Sequence, residues 1–198
     1  MLNGVAAMTE IFFAGILGYL LGAVPTGVLV CRALRGADVH QQGSGHTGGL
    51  NVSRVAGLWA GALTAVVDVL LGVVAVTGGT LLVEDPWAAT VAGVMAVVGH
   101  DWSVFIRFGG GIGLSTLAGT LLCLSPLPAL GALVALVLFW FILVGLLHLH
   151  RAQSTILAMI TIGPLLWALG LPLHIVLLGV LGGAVVIVKT IPDWNRPY

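Results

Sequence analysis

Charged residues are scarce in this chain of 198 residues, and their scarcity excludes several classes of protein. Only 7% of the residues are charged, against about 25% in a typical soluble domain. So few charges cannot cover the surface of a water-soluble enzyme or form the basic face of a nucleic-acid-binding protein. With 59% hydrophobic residues, the composition is also not that of a disordered chain. We therefore predict a polytopic membrane protein that binds no nucleic acid.

Cysteine and lysine are also rare. The two cysteines, Cys31 and Cys123, both lie in apolar runs, so we predict neither a disulfide nor a metal site. The single lysine is Lys189. No Lys or Arg precedes the first apolar run, which is longer than the roughly 7–15 residues of a signal-peptide core. We interpret that run as a first membrane span that is retained in the mature protein.

Long apolar segments fill most of the chain. A bilayer core about 30 Å thick is crossed by about 20 residues of helix, so the sequence predicts seven transmembrane helices. They cover residues 11–34, 58–83, 87–106, 112–124, 127–147, 154–169 and 171–188. Pro25 and Pro164 lie inside predicted spans and should kink them. The predicted fold is a single all-α transmembrane domain over residues 1–198.

The cations predict the orientation of these helices. With seven spans, all 7 Lys and Arg residues fall on one side of the membrane, and the other side carries Glu10, Glu84 and Asp85. Because positively charged loops stay in the cytoplasm, we predict an external N-terminus and a cytoplasmic C-terminus, in the bacterial inner membrane. Six or eight spans would distribute the cations over both sides.

One predicted cytoplasmic loop, residues 35–57, is long and rich in glycine. Glycines free backbone N–H groups to surround an anion, and hydroxyl, amide and guanidinium groups add further donors. The candidate phosphate-binding residues here are Gly43, Ser44, Gly45, Thr47, Asn51 and Arg54. A flexible glycine-rich linker explains the same composition equally well.

A second glycine-rich segment lies on the same predicted side, between the third and fourth spans. Glycines that open a helix expose free N–H groups and the positive end of the helix dipole to an anion. The candidate residues in this segment are His100, Arg107, Gly109, Gly110, Gly111 and Gly113. Two such segments on one side predict a shared anion-binding site.

These motifs, in this order, resemble those of the bacterial integral-membrane acyl-phosphate:glycerol-3-phosphate acyltransferases. Residues 22–27 are similar to the family's G-S-[IV]-P-[TS]-G, and residues 43–54 to its G-S-G-N-x-G-A-T-N-x-x-R. Residues 99–113 are similar to its G-H-x-x-P-V-F and the K-G-G-K-G that follows. The resemblance covers nearly the whole chain. It implies seven spans, and acyl transfer from acyl phosphate to glycerol 3-phosphate without a metal or cofactor.

The resemblance also assigns site residues. Ser44, Arg54 and His100 become the candidate catalytic residues, and the remaining candidates become phosphate- or substrate-binding residues. Thr155 joins this second group, because residues 152–156 align with the family's S-x-x-S-I.

The chain departs from the family pattern at several positions. Gly109 and Ile112 replace the lysines of the glycine loop, Leu71 replaces the lysine of D-x-L-K-G, and His46 replaces an asparagine. Residues 189–193, aligned with R-H-x-x-N, lose the histidine and asparagine and gain an acid that should repel phosphate. Each lost donor should remove about 2.7–4 kcal/mol of transition-state stabilisation.

Two functions are therefore open at this point. The substitutions favour an inactive relative that serves as a structural or lipid-binding subunit of a larger membrane complex, such as a respiratory or photosynthetic one. Its partners would be membrane lipids and other integral membrane subunits. The alternative is an active enzyme that makes lysophosphatidic acid for phospholipid synthesis, with Arg107 and Arg151 compensating in part for the missing lysines.

Overall fold

The protein is built from α-helices. The computed structural model describes residues 2–196. In that range, the α-helices are α1 (Leu2–Gly22), α2 (Thr26–Arg35), α3 (Gly49–Ala56), α4 (Leu58–Leu82), α5 (Pro86–Asp101), α6 (Leu114–Leu124), α7 (Pro126–Phe141), α8 (Arg151–Ala168) and α9 (Leu173–Thr190). No β-strand occurs in the described range, where one antiparallel bridge joins Ser103 to Gly109.

Several of these helices are long and apolar enough to cross a membrane. Four segments of the described range meet this condition: Ala7–Arg35, which takes in most of α1 and all of α2, Leu58–Leu82, Pro126–Leu146 and Leu173–Asp193. The three other predicted spans coincide with α5, α6 and α8, which contain 16, 11 and 18 residues. The structure thus confirms an all-helical protein with several apolar helices, and the count of seven spans and their orientation stay predictions.

The first predicted span is not one continuous helix. α1 ends at Gly22 and α2 begins at Thr26, directly after Pro25. Proline has no N–H to continue a helix, and here it interrupts the span that it was expected only to kink. Pro164 behaves differently, because α8 continues past it to Ala168.

Other boundaries also shift. The third predicted span ends early: α5 stops at Asp101, and Val104–Ile106 forms a 3₁₀ turn. The fifth predicted span ends in a π-helical turn at Ile142–Leu146. The sixth starts three residues earlier than predicted, at Arg151, where the ring of His150 accepts a hydrogen bond from the N–H of Ala152 and caps α8.

Glycines set how closely α1 and α5 approach. A Cβ atom added at Gly18 would overlap the backbone of Ala92, and one at Gly22 would overlap the backbone of Ala96. From the other side, Gly99 lies against the backbone carbonyl of Tyr19. Small residues therefore let these two helices pack backbone against backbone at this interface. It fixes α5 and the segment that follows it, which carry part of the candidate site.

The long loop between α2 and α4 contains regular structure. It includes a 3₁₀ turn at Val39–Gln41 and the eight-residue helix α3. Asp38 caps the 3₁₀ turn, and hydrogen bonds from the backbone N–H and the ring of His40 hold the pKa of Asp38 below its usual value.

Candidate functional site

A cavity of about 490 Å³ lies among the loop before α3 and helices α3 to α9. Its polar lining residues are Ser44, His46, Asn51, Arg54, Asp68, His100, Ser115, Arg151, Thr155 and Thr190. Its larger apolar lining residues are Leu50, Val69, Ile112, Leu114, Leu117, Leu133, Leu136, Val137, Trp140, Met159 and Ile162. Along α8 the lining changes from Arg151 and Thr155 to Met159 and Ile162, so one end of the cavity is polar and the other is apolar. Such a cavity suits a ligand with an anionic head and a hydrocarbon tail.

Asn51 holds the first glycine-rich loop in one conformation. Its amide nitrogen donates to the backbone carbonyls of Val39, Gln42 and His46 at 3.3, 3.0 and 2.9 Å. Its amide oxygen accepts the N–H of Ser44 at 3.0 Å. Both the nitrogen and the oxygen of this buried amide are therefore bonded to the backbone of the loop, so the loop is not a flexible linker. Asn51 thereby fixes the position of Ser44.

Three other predicted residues of this loop are not among those that line the cavity. Gly43 and Gly45 have φ angles of 59° and 74°, in the left-handed region that glycine adopts without strain, and they turn the chain. The N–H of Thr47 donates to the carbonyl of Gly110 at 3.2 Å. This bond joins the two glycine-rich segments, which the sequence predicted to share a site.

In the second segment, His100 and Gly113 line the cavity, together with Ile112. Gly113 is the N-cap of α6, with a φ of 68°, so the N-terminus of that helix faces the cavity. Gly110 and Gly111 do not line it, because they pack against His100: the N–H of Gly111 donates to the His100 carbonyl at 3.1 Å. These glycines thus support the histidine, and their predicted binding of an anion stays a prediction.

Arg107 and Gly109 are also not brought to the cavity. The N–H of Ser103 donates to the Gly109 carbonyl at 2.9 Å, and the N–H of Phe108 donates to the Ser103 carbonyl at 2.8 Å. These bonds close a tight turn that holds Arg107 in a left-handed conformation, with a φ of 56°. The predicted compensation by Arg107 therefore has no support in the structure, whereas Arg151 does line the cavity.

A buried acid stands beside His100. Asp68, on α4, accepts a hydrogen bond from the hydroxyl of Thr26, and its Oδ1 lies 3.8 Å from Nδ1 of His100. The second carboxylate oxygen, Oδ2, has no hydrogen-bond partner among the described residues. An acid within an apolar span is rare and marks a candidate functional residue. Its pairing with His100 depends on tertiary packing and was not predicted.

The C-terminal turn forms part of the site. Asp193 is buried, its Oδ2 lies 2.5 Å from Nε2 of His46, and its Oδ1 accepts from Arg196 at 3.2 Å. The same Arg196 nitrogen donates to the backbone carbonyl of Ser44 at 2.9 Å. The carboxylate of Asp193 is thus engaged by His46 and Arg196, and the expectation that it repels phosphate stays a prediction. Lys189 points away from the cavity, since its ammonium donates to the backbone carbonyl of Asp101.

Comparison with known proteins decides the family. A model of the glycerol-3-phosphate acyltransferase family matches residues 12–196. The chain belongs to this family. The acyltransferase of Rubrobacter xylanophilus is 42% identical over 173 residues, which are 87% of this chain and 83% of that protein. The acyltransferase of Rippkaea orientalis is 40% identical over 185 residues, 88% of this chain and 83% of that protein.

Solved acyltransferase structures are similar to the whole architecture. The crystal structure of PlsY, an integral membrane glycerol 3-phosphate acyltransferase, in its glycerol 3-phosphate form superposes with a TM-score of 0.79 at 30% identity. The match covers 94% of this chain and 90% of that one. The lysophosphatidic acid form of PlsY gives a TM-score of 0.78. The present chain is therefore an integral, multi-pass membrane protein of the acyltransferase family.

These findings correct the interpretation of the chain as an inactive subunit. Relatives about 40% identical over most of its length are named as acyltransferases, and nothing among them supports a role in a larger membrane complex. The error came from weighing each departure from the family pattern separately. The structure shows that two of these positions, His46 and Asp193, bond to each other.

Proposed function

We propose that this protein transfers an acyl group from acyl phosphate to glycerol 3-phosphate, producing lysophosphatidic acid and inorganic phosphate at the bacterial inner membrane. The observation that carries the proposal is the cavity whose lining changes from Ser44, Arg54 and Arg151 to aliphatic side chains of α6, α7 and α8. A phosphate-bearing head and an acyl chain require this combination. The family membership of the chain points to the same reaction.

In the proposed reaction, the terminal hydroxyl oxygen of glycerol 3-phosphate attacks the acyl carbonyl carbon. The bond between that carbon and the phosphate oxygen breaks, and the hydroxyl proton ends on the released phosphate. Acyl phosphate is already activated, so the protein needs mainly to orient two anions and stabilise the charge that develops between them. No metal or cofactor is required for this step.

The polar end of the cavity supplies these interactions. Arg54 binds phosphate through its planar guanidinium, which can form two parallel charge-assisted bonds. Ser44 and His100 also line the cavity, and in this proposal they contact the reacting groups. Asn51 acts as a positioning residue, because all its hydrogen bonds go to the loop that holds Ser44.

The apolar end holds the acyl chain. It is lined by Leu133 and Val137 on α7, by Met159 and Ile162 on α8, and by Leu117 on α6. Burying a methylene group there is worth about 0.8 kcal/mol, so several carbons next to the acyl carbonyl would fix its position firmly. This placement brings the carbonyl carbon to the boundary between the polar and apolar ends.

We further propose that the chain spans the membrane seven times, with the N-terminus outside and the polar end of the cavity on the cytoplasmic side. The one-sided distribution of the 7 Lys and Arg residues supports this orientation. It places the phosphate-binding loops in the compartment that supplies glycerol 3-phosphate.

Turnover by the purified protein tests the proposed reaction. The chain in mild detergent is mixed with radiolabelled glycerol 3-phosphate and palmitoyl phosphate, and lysophosphatidic acid and phosphate are measured together. We expect the two products in equal amounts, and a loss of at least tenfold in Arg54→Ala. Arg35→Ala, an arginine at the end of α2 outside the cavity, is the matched control. A folded protein that forms no lysophosphatidic acid under these conditions would contradict the proposal.

A further inference from the structure

Arg54 and Arg151 carry the permanent positive charge among the described residues that line the cavity. The ammonium of Lys189 is directed elsewhere, to the carbonyl of Asp101 and the ring of Trp102, whose centroid is 5.1 Å away. Both substrates of the proposed reaction carry a phosphate group. Two phosphates and two guanidinium groups therefore have to share one cavity.

The position of Arg151 on α8 indicates which substrate it serves. Arg151 is the first residue of α8, and residues 155, 159 and 162 line the cavity one, two and three turns further along. At a rise of about 1.5 Å per residue, Arg151 and Ile162 are about 16 Å apart along the helix axis. A single helix thus presents a cation at its start and an apolar wall beyond it, which matches the order of groups in acyl phosphate.

At the start of α8, the guanidinium of Arg151 is available to donate hydrogen bonds to a ligand, whereas the neighbouring hydroxyl of Thr155 is not. The hydroxyl of Thr155 donates to the Arg151 backbone carbonyl at 3.0 Å and accepts the indole N–H of Trp140 at 3.1 Å. Thr155 is therefore occupied in joining α7 to α8. The side chain of Arg151 is exposed, and its guanidinium forms no hydrogen bond or ion pair within residues 2–196.

We propose that Arg151 binds the phosphate group of acyl phosphate, while Arg54, on α3 beside the Ser44 loop, binds that of glycerol 3-phosphate. This assignment rests on the proposed function. Ile112, which stands where the family pattern has a lysine, lines the same cavity and contributes no charge. Arg151 supplies from α8 the positive charge that this loop lacks.

Steady-state kinetics with each substrate varied separately test the assignment. Arg151→Ala should lower kcat/KM for palmitoyl phosphate by about 10- to 100-fold, the equivalent of one charge-assisted bond. The KM for glycerol 3-phosphate should change by less than about threefold, which is below 1 kcal/mol. Arg151→Lys should fall between wild type and Arg151→Ala, because a lysine keeps the charge but not the planar fork. Arg35→Ala serves as the control.

A rescue variant provides the decisive comparison. In Ile112→Lys/Arg151→Ala, an ammonium enters the cavity from the glycine loop, and we expect kcat/KM for palmitoyl phosphate to recover at least tenfold over Arg151→Ala. This recovery also separates a lost charge from a misfolded protein. If Arg151→Ala behaves like Arg35→Ala, or raises the KM for both substrates equally, the assignment is wrong. A wild-type protein without turnover would instead refute the proposed function itself.

Discussion

The bond between His46 and Asp193 gives the sharpest prediction about the site, because it joins the Ser44 loop to the C-terminal turn. Its two atoms lie 2.5 Å apart, and the side chains of His46 and Asp193 are 16% and 4% exposed. A charge-assisted hydrogen bond of this kind contributes about 1.5–3 kcal/mol. The bond from Arg196 to Asp193 adds less than about 1 kcal/mol, because the Arg196 side chain is 46% exposed to solvent.

We therefore expect Asp193→Ala to weaken glycerol 3-phosphate binding about 10- to 100-fold, the range that corresponds to about 1.5–3 kcal/mol. The loss acts through the position of the Ser44 loop, so KM for glycerol 3-phosphate should rise more than kcat falls. His46→Ala should give a similar change. Glu84→Ala, which removes an exposed acid between α4 and α5, should leave both constants unchanged.

A double-mutant cycle distinguishes this reasoning from a general loss of stability. Once one partner is removed, removal of the other should cost little more, so the double alanine variant should resemble either single variant. The coupling energy should exceed about 1 kcal/mol, which is outside the usual 0.3–0.5 kcal/mol error of additivity. Additive effects of the two substitutions on KM would refute the argument.

Three further predictions concern packing, the loop and the topology. Gly99→Ala places a methyl group against the backbone of Tyr19 and should lower the unfolding free energy by about 1–3 kcal/mol, measured by thermal or denaturant unfolding. The control Gly131→Ala, at a position with open space around it, should leave the unfolding free energy unchanged. Asn51→Ala removes the amide that holds the Ser44 loop and should lower kcat/KM for glycerol 3-phosphate at least tenfold; wild-type kinetics would contradict the role of this amide. Reporter fusions after Glu84 and after Arg196 should report the outside and the cytoplasm respectively, and the same side for both would refute the odd number of spans.

Much of the candidate site was accessible from sequence because its elements are local. Glycine, serine and asparagine within ten residues of Arg54 predicted an anion-binding loop, and in the structure both Ser44 and Arg54 line the cavity. Apolar runs of helical length likewise predicted the bounds of α4, α6, α8 and α9 to within about three residues, whereas the first predicted span is divided at Pro25. Both inferences need only short-range chemistry and the thickness of a bilayer.

The remaining features depend on contacts between residues distant in sequence. His46 and Asp193 are 147 positions apart, and each looked like a harmful departure when considered alone. The sequence favoured Arg107 as a phosphate-binding residue and named Arg151 only as a partial compensation for missing lysines, yet in the structure Arg151 and not Arg107 is among the residues that line the cavity. Gly110 and Gly111 matched the pattern of an anion cradle, yet their missing side chains make room for His100.

The glycine-lined contact between α1 and α5 has a consequence for the biogenesis of the protein. The faces of α1 at Gly18 and Gly22 receive the backbone of Ala92 and Ala96, and the hydroxyl of Tyr19 donates to the carbonyl of Trp102 at 2.8 Å. During synthesis α1 leaves the ribosome before α2, α3 and α4, and α5 is made only after these four helices. The glycine-lined groove of α1 must therefore remain unoccupied by α5 until that helix has been made. A nascent chain stopped before α5 should therefore crosslink to insertion factors through that groove. A longer nascent chain, in which α5 has entered the membrane, should no longer form this crosslink.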